Sequence, residues 1–349
     1  MVTCMALSLG YLFQEAGAML SSEDKTCFAL QYYLEHFTSL LGREVDHVCL
    51  SNIRAFLLRG YLATFQGKIE SATIFTGIAC GMAKRIGLHV RTSRLHLDDR
   101  LAMGTEGERA RRALFHACLW MDRRLAILEG RATFITRIDI SETSLLEDLK
   151  NDPGIPFMER ELSLELVYSF SNPLSKDDAI SKGHVTFMTW FNSLPQSMRQ
   201  VSKGQDFHPS FLSFHLCFHS GLIQLHRPSL KAGGTAASTS HYYCRESAKS
   251  ISSLLKKYRQ HFDNRVMDFM VIHSAFTGAL VHLVLLEHPH LASYHSSIRG
   301  FKIIIDTLRW IMPWSGYARK VHDNIKKIAF AWGISPVNSA TFWAASMGD

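Results

Sequence analysis

The chain has 349 residues, with 38 Lys and Arg against 31 Asp and Glu, 47% hydrophobic residues and 20% charged ones. This balance excludes a disordered polymer and allows a sizeable core, with length alone suggesting about two domains. The formal charge of +7 is spread along the sequence instead of forming a basic run, which fits a solvated surface better than a nucleic-acid arm. The seven cysteines, Cys4, Cys27, Cys49, Cys80, Cys118, Cys217 and Cys244, are odd in number, widely spaced and free of any C-x-x-C. That arithmetic argues against a disulfide framework or a cysteine zinc site and points to a reducing compartment, with the thiols acting as small buried hydrophobes.

In chain order, residues 2–19 read as a helix without the basic region of a signal peptide. Ser21-Ser22 caps a helix over about Asp24–Leu41, which Gly42 closes. Asp46 opens the next, through Phe65, with Gly67 at the turn. Ser71–Ile86 follows, and Gly87 supplies a left-handed C-cap with Leu88 folding back on the helix end. Val90–Thr105 reads as a polar loop. In Glu106–Ile140, apolar residues recur at Leu114, Cys118, Met121, Leu125 and Leu128, the spacing of one buried helix face. Beside that row run Phe115, Leu119 and Asp122. A carboxylate in a buried row is costly unless an arginine pairs with it, and Arg123, Arg124 and Arg131 are near. Gly130 ends the helix, and Ile138–Ile140 reads as an extended exit.

Residues 141–157 are acidic and bear Pro and Gly, an excursion and not a core element. Helices follow at about Met158–Phe170 and His184–Phe191. Phe211, Phe214, Phe218, Leu222 and Leu225 mark a further helix that Pro228 terminates. Lys231–Ser240 reads as a flexible loop of small residues whose last Ser or Thr caps a helix over Tyr242–Tyr258. Helices at 265–287, 298–312 and 316–332 complete the chain. Phe269–Leu286 has the length of a membrane span, but His273, Ser274, Thr277 and His282 within it favour a buried helix and no membrane. No segment alternates with period two, so the fold class is all-α, a bundle of roughly a dozen helices.

Several segments resemble the fungal-specific transcription factor domain, the middle homology region of zinc-cluster transcription factors. In the central helix these are Arg111-Arg112, Leu114-Phe115, Asp122-Arg123 and Gly130-Arg131, with His116 and Ala132 departing from the family's Trp and Pro. Ala83, Ile86, Gly87, Leu88 and His89 are similar to a second signature. Trp190, Leu194, Pro195 and Arg199 resemble a third, and Leu225-His226-Arg227-Pro228 is similar to a fourth that ends a helix. Cys244 to Ala248 is close to another. The resemblance runs from about residue 25 to 330. It implies a truncated N-terminal helix at 1–20, one regulatory domain at 21–335 and a tail at 336–349. Arg112, Asp122, Arg123, Gly130, Arg131, Gly87, His226, Arg227 and Pro228 become the motif residues, expected to act structurally.

The same resemblance implies transcriptional regulation in the nucleus, through a small-molecule effector or a partner protein, with a homo- or heterodimer left open. In the family, zinc belongs to a six-cysteine cluster that is absent from this sequence. No cofactor is therefore expected, and DNA is expected to be reached only indirectly or through a missing N-terminal domain. The chain is expected to be a fragment of such a factor or a stand-alone helical partner that binds or titrates an intact activator.

Other chemistry finds little support in the residues. His215 and His219 stand at i and i+4, with His208 and His226 flanking, but no H-E-x-x-H and no acidic third ligand accompany them. No G-x-S-x-G, phosphate loop or dinucleotide fingerprint is present, so no catalytic residue is assigned. A helical enzyme would need titratable groups brought together from distant helices. The arginines at 109, 111, 112, 123, 124 and 131 do not share one face, and an exposed or ion-paired role is expected of them. Phe-, Met- and His-rich helices around 187–226 and 266–286 are the expected walls of any effector cavity.

Overall fold

The computed structural model describes residues 1–6, 23–90, 97–136, 176–201, 208–231, 235–263, 268–287, 293–334, 337 and 342–343. From Glu23 onward these residues form twelve helical elements and no strand, the all-α bundle expected. The chain divides into two compact units, Met1–Glu159 and Arg160–Asp349.

The first unit holds α1 (Glu23–Glu44), α2 (Leu50–Phe65), α3 (Ile69–Arg85) and α4 (Leu97–Glu129). Gly42 does not close α1, which runs on to Glu44. The connection is fixed by Asn52, whose amide donates to the carbonyls of Glu44 (3.1 Å) and His47 (2.9 Å) and to the Glu44 carboxylate (2.8 Å). This satisfies the exposed helix end and delays α2 to Leu50 instead of Asp46. Gly67 and Gly87 adopt φ of 71° and 65°, and the Leu88 amide bonds back to the Ala83 carbonyl at 2.9 Å, as the C-cap reading required. Phe37, Phe56 and Phe75 meet across α1, α2 and α3 with ring centroids 5.9–6.3 Å apart.

Helix α4 begins well inside the segment expected to be a polar loop. The backbone is helical from Leu97, and Leu, Ala and Met in this stretch are residue types of high helix propensity. Downstream the two predicted rows are buried: Leu114, Cys118, Met121 and Leu125 on one, Phe115, Leu119 and Asp122 on the other. Leu128 is half-buried.

The second unit contains α5 (Lys176–Ser193), the single turn α6 (Gln196–Arg199), α7 (Pro209–His226), a 3-10 turn at Arg227–Lys231, α8 (Thr235–His261), α9 (Phe269–Leu286), α10 (Tyr294–Ile311) and α11 (Gly316–Ala331). Pro228 does stop the α-helix, converting it to the tighter turn. The flexible-loop reading of Lys231–Ser240 is corrected: α8 starts at Thr235, where the sequence Thr-Ala-Ala has the propensity to begin a helix. Helix α5 is likewise longer than expected, starting at Lys176.

Helix α9 has the length and apolarity of a membrane span, yet 78% of it is buried among α7, α8, α10 and α11. Two close approaches set its place. A Cβ on Gly278 would lie 3.0 Å from Ile251 and 3.3 Å from Ile304, so the missing side chain lets α8 and α10 close on α9. A Cβ on Gly300 would lie 2.5 Å from His282 Nε2, so α10 receives the His282 ring in a notch. Ser252 of α8 shares a hydrogen bond of 2.9 Å with that ring and donates to the Ala248 carbonyl at 3.0 Å.

The expected Ser21-Ser22 cap, most of the 2–19 helix, the exit at 138–140, the 141–157 excursion and the 158–170 helix lie outside the described residues.

Candidate functional site

In the first unit the motif residues of α4 form one connected lock. Asp122 is completely buried, and Arg131 lies 3.0 Å from its Oδ1. The Asp122 Oδ2 accepts the Ile135 amide at 2.8 Å. A buried carboxylate is tolerable with both a charge partner and a main-chain donor, and here it has both. Gly130, at φ 67°, makes the left-handed step that brings Arg131 back over its own helix. Arg131 Nη1 also donates to the Ala132 carbonyl at 2.8 Å and its Nε to Glu129 at 2.9 Å. Its guanidinium lies 4.3 Å from the Phe134 ring centroid.

The lock extends to α3. Thr73 donates to the Glu129 carboxylate at 2.8 Å, and Lys84 Nζ donates to the Phe134 carbonyl at 3.1 Å. Gly77 leaves space for the Phe134 ring, which a Cβ would meet at 3.0 Å. Asp122 thus fixes the course of 130–136 across the neighbouring helix. Arg111 joins a second motif, donating to the Gly87 carbonyl at 3.0 Å. Two signatures 24 residues apart therefore meet at the α3 C-cap.

Of the other arginines, Arg109 is exposed, as expected. Arg124 is buried and lies 4.1 Å over the Trp120 ring, where the aromatic face compensates its charge. Arg123 is also buried, and Arg112 is half-buried. Thr73, Gly77, Glu129 and Phe134 were not singled out in the sequence. Only Gly77 carried any signal, as a glycine inside a helix.

In the second unit His226 is buried and bridges three helices. Its Nε2 lies 2.9 Å from His184 Nδ1 of α5 and its Nδ1 lies 3.1 Å from Ser240 Oγ of α8. Tyr243 packs on both rings, 4.3 Å from His184 and 5.0 Å from His226. Burial, and then the neighbouring His184, push His226 down to about 4, so the pair is neutral near pH 7 and one imidazole donates to the other. Arg227 and Pro228 are exposed. His184 and Tyr243 had no sequence signal, since their partners lie in other helices, His226 being 42 residues from His184.

Aromatic rings of α5 and α7 pack against one another. Phe187, Phe191, Phe214 and Phe218 stack, with the Phe191 and Phe218 centroids 3.9 Å apart. His215 shares a hydrogen bond of 3.0 Å with the Met198 carbonyl. Among the described residues no group of three or more His, Cys, Asp and Glu converges in a metal-binding arrangement.

Comparison with known families matches residues 2–218 to the fungal specific transcription factor domain. An uncharacterized transcriptional regulatory protein of Schizosaccharomyces pombe is 22% identical over 277 residues, which is 68% of this chain and 44% of that protein. Another such protein of the same yeast is 21% identical over 304 residues, 76% of this chain and 50% of that protein. The chain spans about half the length of the curated relatives it matches. No solved structure matches. The match covers well over half the sequence and includes Gly87, Asp122 and Arg131, and the chain belongs to the fungal-specific transcription factor domain family.

Proposed function

We propose that this chain works as the regulatory region of a nuclear fungal transcription factor, restraining or licensing transcription in response to a small effector or a partner protein. The observation that carries the reading is the family match over residues 2–218. The geometry supports it in one respect. The signatures converge on a cap and a buried ion pair that fix chain course, the work of a scaffold and not of a reaction centre. No six-cysteine cluster occurs among these 349 residues, so DNA contact is assigned to a separate reader.

The test is a fusion of the chain to a heterologous DNA-binding domain, read on a reporter carrying that domain's sites in a fungal host. The fusion is expected to change reporter output at least threefold relative to the DNA-binding domain alone, and Arg131→Met is expected to abolish the change. Equal output from fusion and control across growth conditions, with the fusion protein present in the nucleus, overturns the reading. Purified chain alone is expected to give no site-selective gel shift at physiological salt.

A further inference from the structure

Two imidazoles of the second unit meet nitrogen to nitrogen, His184 Nδ1 of α5 and His226 Nε2 of α7, at 2.9 Å. Two nitrogens bound to one late first-row cation at about 2.0–2.1 Å lie about 2.9 Å apart at a right angle and about 3.4 Å apart at the tetrahedral angle. The observed spacing is the right-angle one. Three further contacts hold it. Gly183, where a Cβ would meet Leu225 at 3.0 Å, lets α5 close on α7 beside the pair. Tyr243 of α8 packs on both rings, with centroids 4.3 Å from His184 and 5.0 Å from His226. Ser240 Oγ, also of α8, lies 3.1 Å from Nδ1, the other ring nitrogen of His226.

We propose that His184 and His226 form a two-imidazole site for a late first-row divalent cation of right-angle coordination, nickel(II) or copper(II), with water in the remaining positions. Imidazole suits both cations, and copper(II) stands at the top of the affinity series. Metal ligation needs neutral rings, and burial lowers both histidines from their ordinary value, so lone pairs are on offer near pH 7. The cation takes the place of the proton that the two rings otherwise share, and so ties α5 to the end of α7. This assignment rests on the geometry of the pair and is independent of the regulatory reading.

The proton balance assigns Ser240 its part. The cation needs His226 in the tautomer that carries its proton on Nδ1, and Ser240 Oγ is placed to accept that N–H. An outer hydrogen bond of this kind fixes which ring nitrogen faces the metal, so Ser240 is a positioning residue. His184 Nδ1–H is then the donor to His226 when no cation is bound. On binding, that proton moves by way of solvent to Nε2 of the same ring, and no net proton is released. Access comes from the α5 side, because His226 is buried whereas His184 is half-buried and the next residue, Val185, is exposed.

The test uses the full chain, stripped with a chelator and titrated with Ni2+ by calorimetry near pH 7. Nickel is the probe because copper(II) oxidises thiols and the chain has seven cysteines. Wild type is expected to hold one Ni2+ that His184→Gln binds at least tenfold more weakly. The glutamine amide can still donate to His226 but supplies no imidazole. Ser240→Ala is expected to weaken the same site about tenfold, the usual effect of losing an outer hydrogen bond. His241→Ala, which removes an exposed histidine beside Ser240, is expected to bind as wild type does. Equal binding by wild type and a His184→Gln variant of unchanged helical content overturns the proposal, as does the lack of saturable binding to wild type. A second measurement, on wild type alone, covers the case in which the variant fails to fold. Modification of His184 by diethyl pyrocarbonate, mapped by mass spectrometry, is expected to slow at least tenfold in Ni2+, while that of His241 keeps its rate. Modification of His184 at one rate with and without the ion overturns the proposal.

Discussion

At the scale of single residues, the Asp122 lock and the helix glycines allow contrasting predictions. Arg131→Met leaves a buried carboxylate with only the Ile135 amide, and removing one partner of such a pair typically costs about 3–5 kcal/mol. The lower end applies because Arg131 keeps 20% of its side-chain surface exposed. Urea unfolding monitored by circular dichroism should show that loss. A shift below about 1 kcal/mol would mean the charge is compensated elsewhere. The two glycines of α1 and α10 should respond with opposite signs. Gly300→Ala drives a methyl group to 2.5 Å from His282 Nε2 in a buried notch, an overpacking of about 1–3 kcal/mol. Gly42→Ala meets nothing within 4 Å in the last turn of α1 and should stabilise by about 0.4–1 kcal/mol through the unfolded chain. A destabilised Gly42→Ala would show that α1 does not continue past Leu41.

At the scale of elements, what was legible in the sequence was whatever local periodicity encodes. The two rows of α4, the stripe of α7 and the stops at Gly67, Gly87 and Pro228 depend on residues within a turn or two of each other. The misread boundaries share another cause. Glu44 stays helical because Asn52 reaches back across the connection, a tie eight residues long that no helix rule anticipates. Leu97 and Thr235 begin helices inside stretches whose polarity argued for loops, because propensity decided there and hydrophobic pattern did not. The site followed the same division. Asp122 betrayed itself as a carboxylate in an apolar row, and the choice of Arg131 over Arg123 and Arg124 required the Gly130 turn. The His184–His226 pair joins residues 42 positions apart, with nothing local to announce it.

At the scale of the whole molecule, the second unit keeps several histidines neutral inside an apolar bundle, and this fixes how it should respond to acid. His273 shares a hydrogen bond of 2.7 Å with Gln224, and His282 shares one with Ser252. Burial lowers both to about 4 from the ordinary value of 6.5. Between those two pH values the unfolded chain binds protons that the folded chain does not, so stability rises with pH across the window. The contribution is complete above about pH 6.5 and is lost as the pH falls toward 4. At pH 5 each group has given up roughly 2 kcal/mol. Together that is a large fraction of the 5–15 kcal/mol typical of a domain. His215 and His226 are lowered to about 4 by burial as well and act in the same direction. The urea midpoint should therefore be nearly flat from pH 8 to 7 and fall steeply from 6.5 to 5. His273→Gln removes one titrating group while retaining a side chain that can bond Gln224, so its midpoint should fall less steeply than that of wild type. A wild-type midpoint unchanged between pH 7.5 and 5 would mean that these rings accept protons in place, and that the bundle around α9 opens to water far more readily than its packing implies.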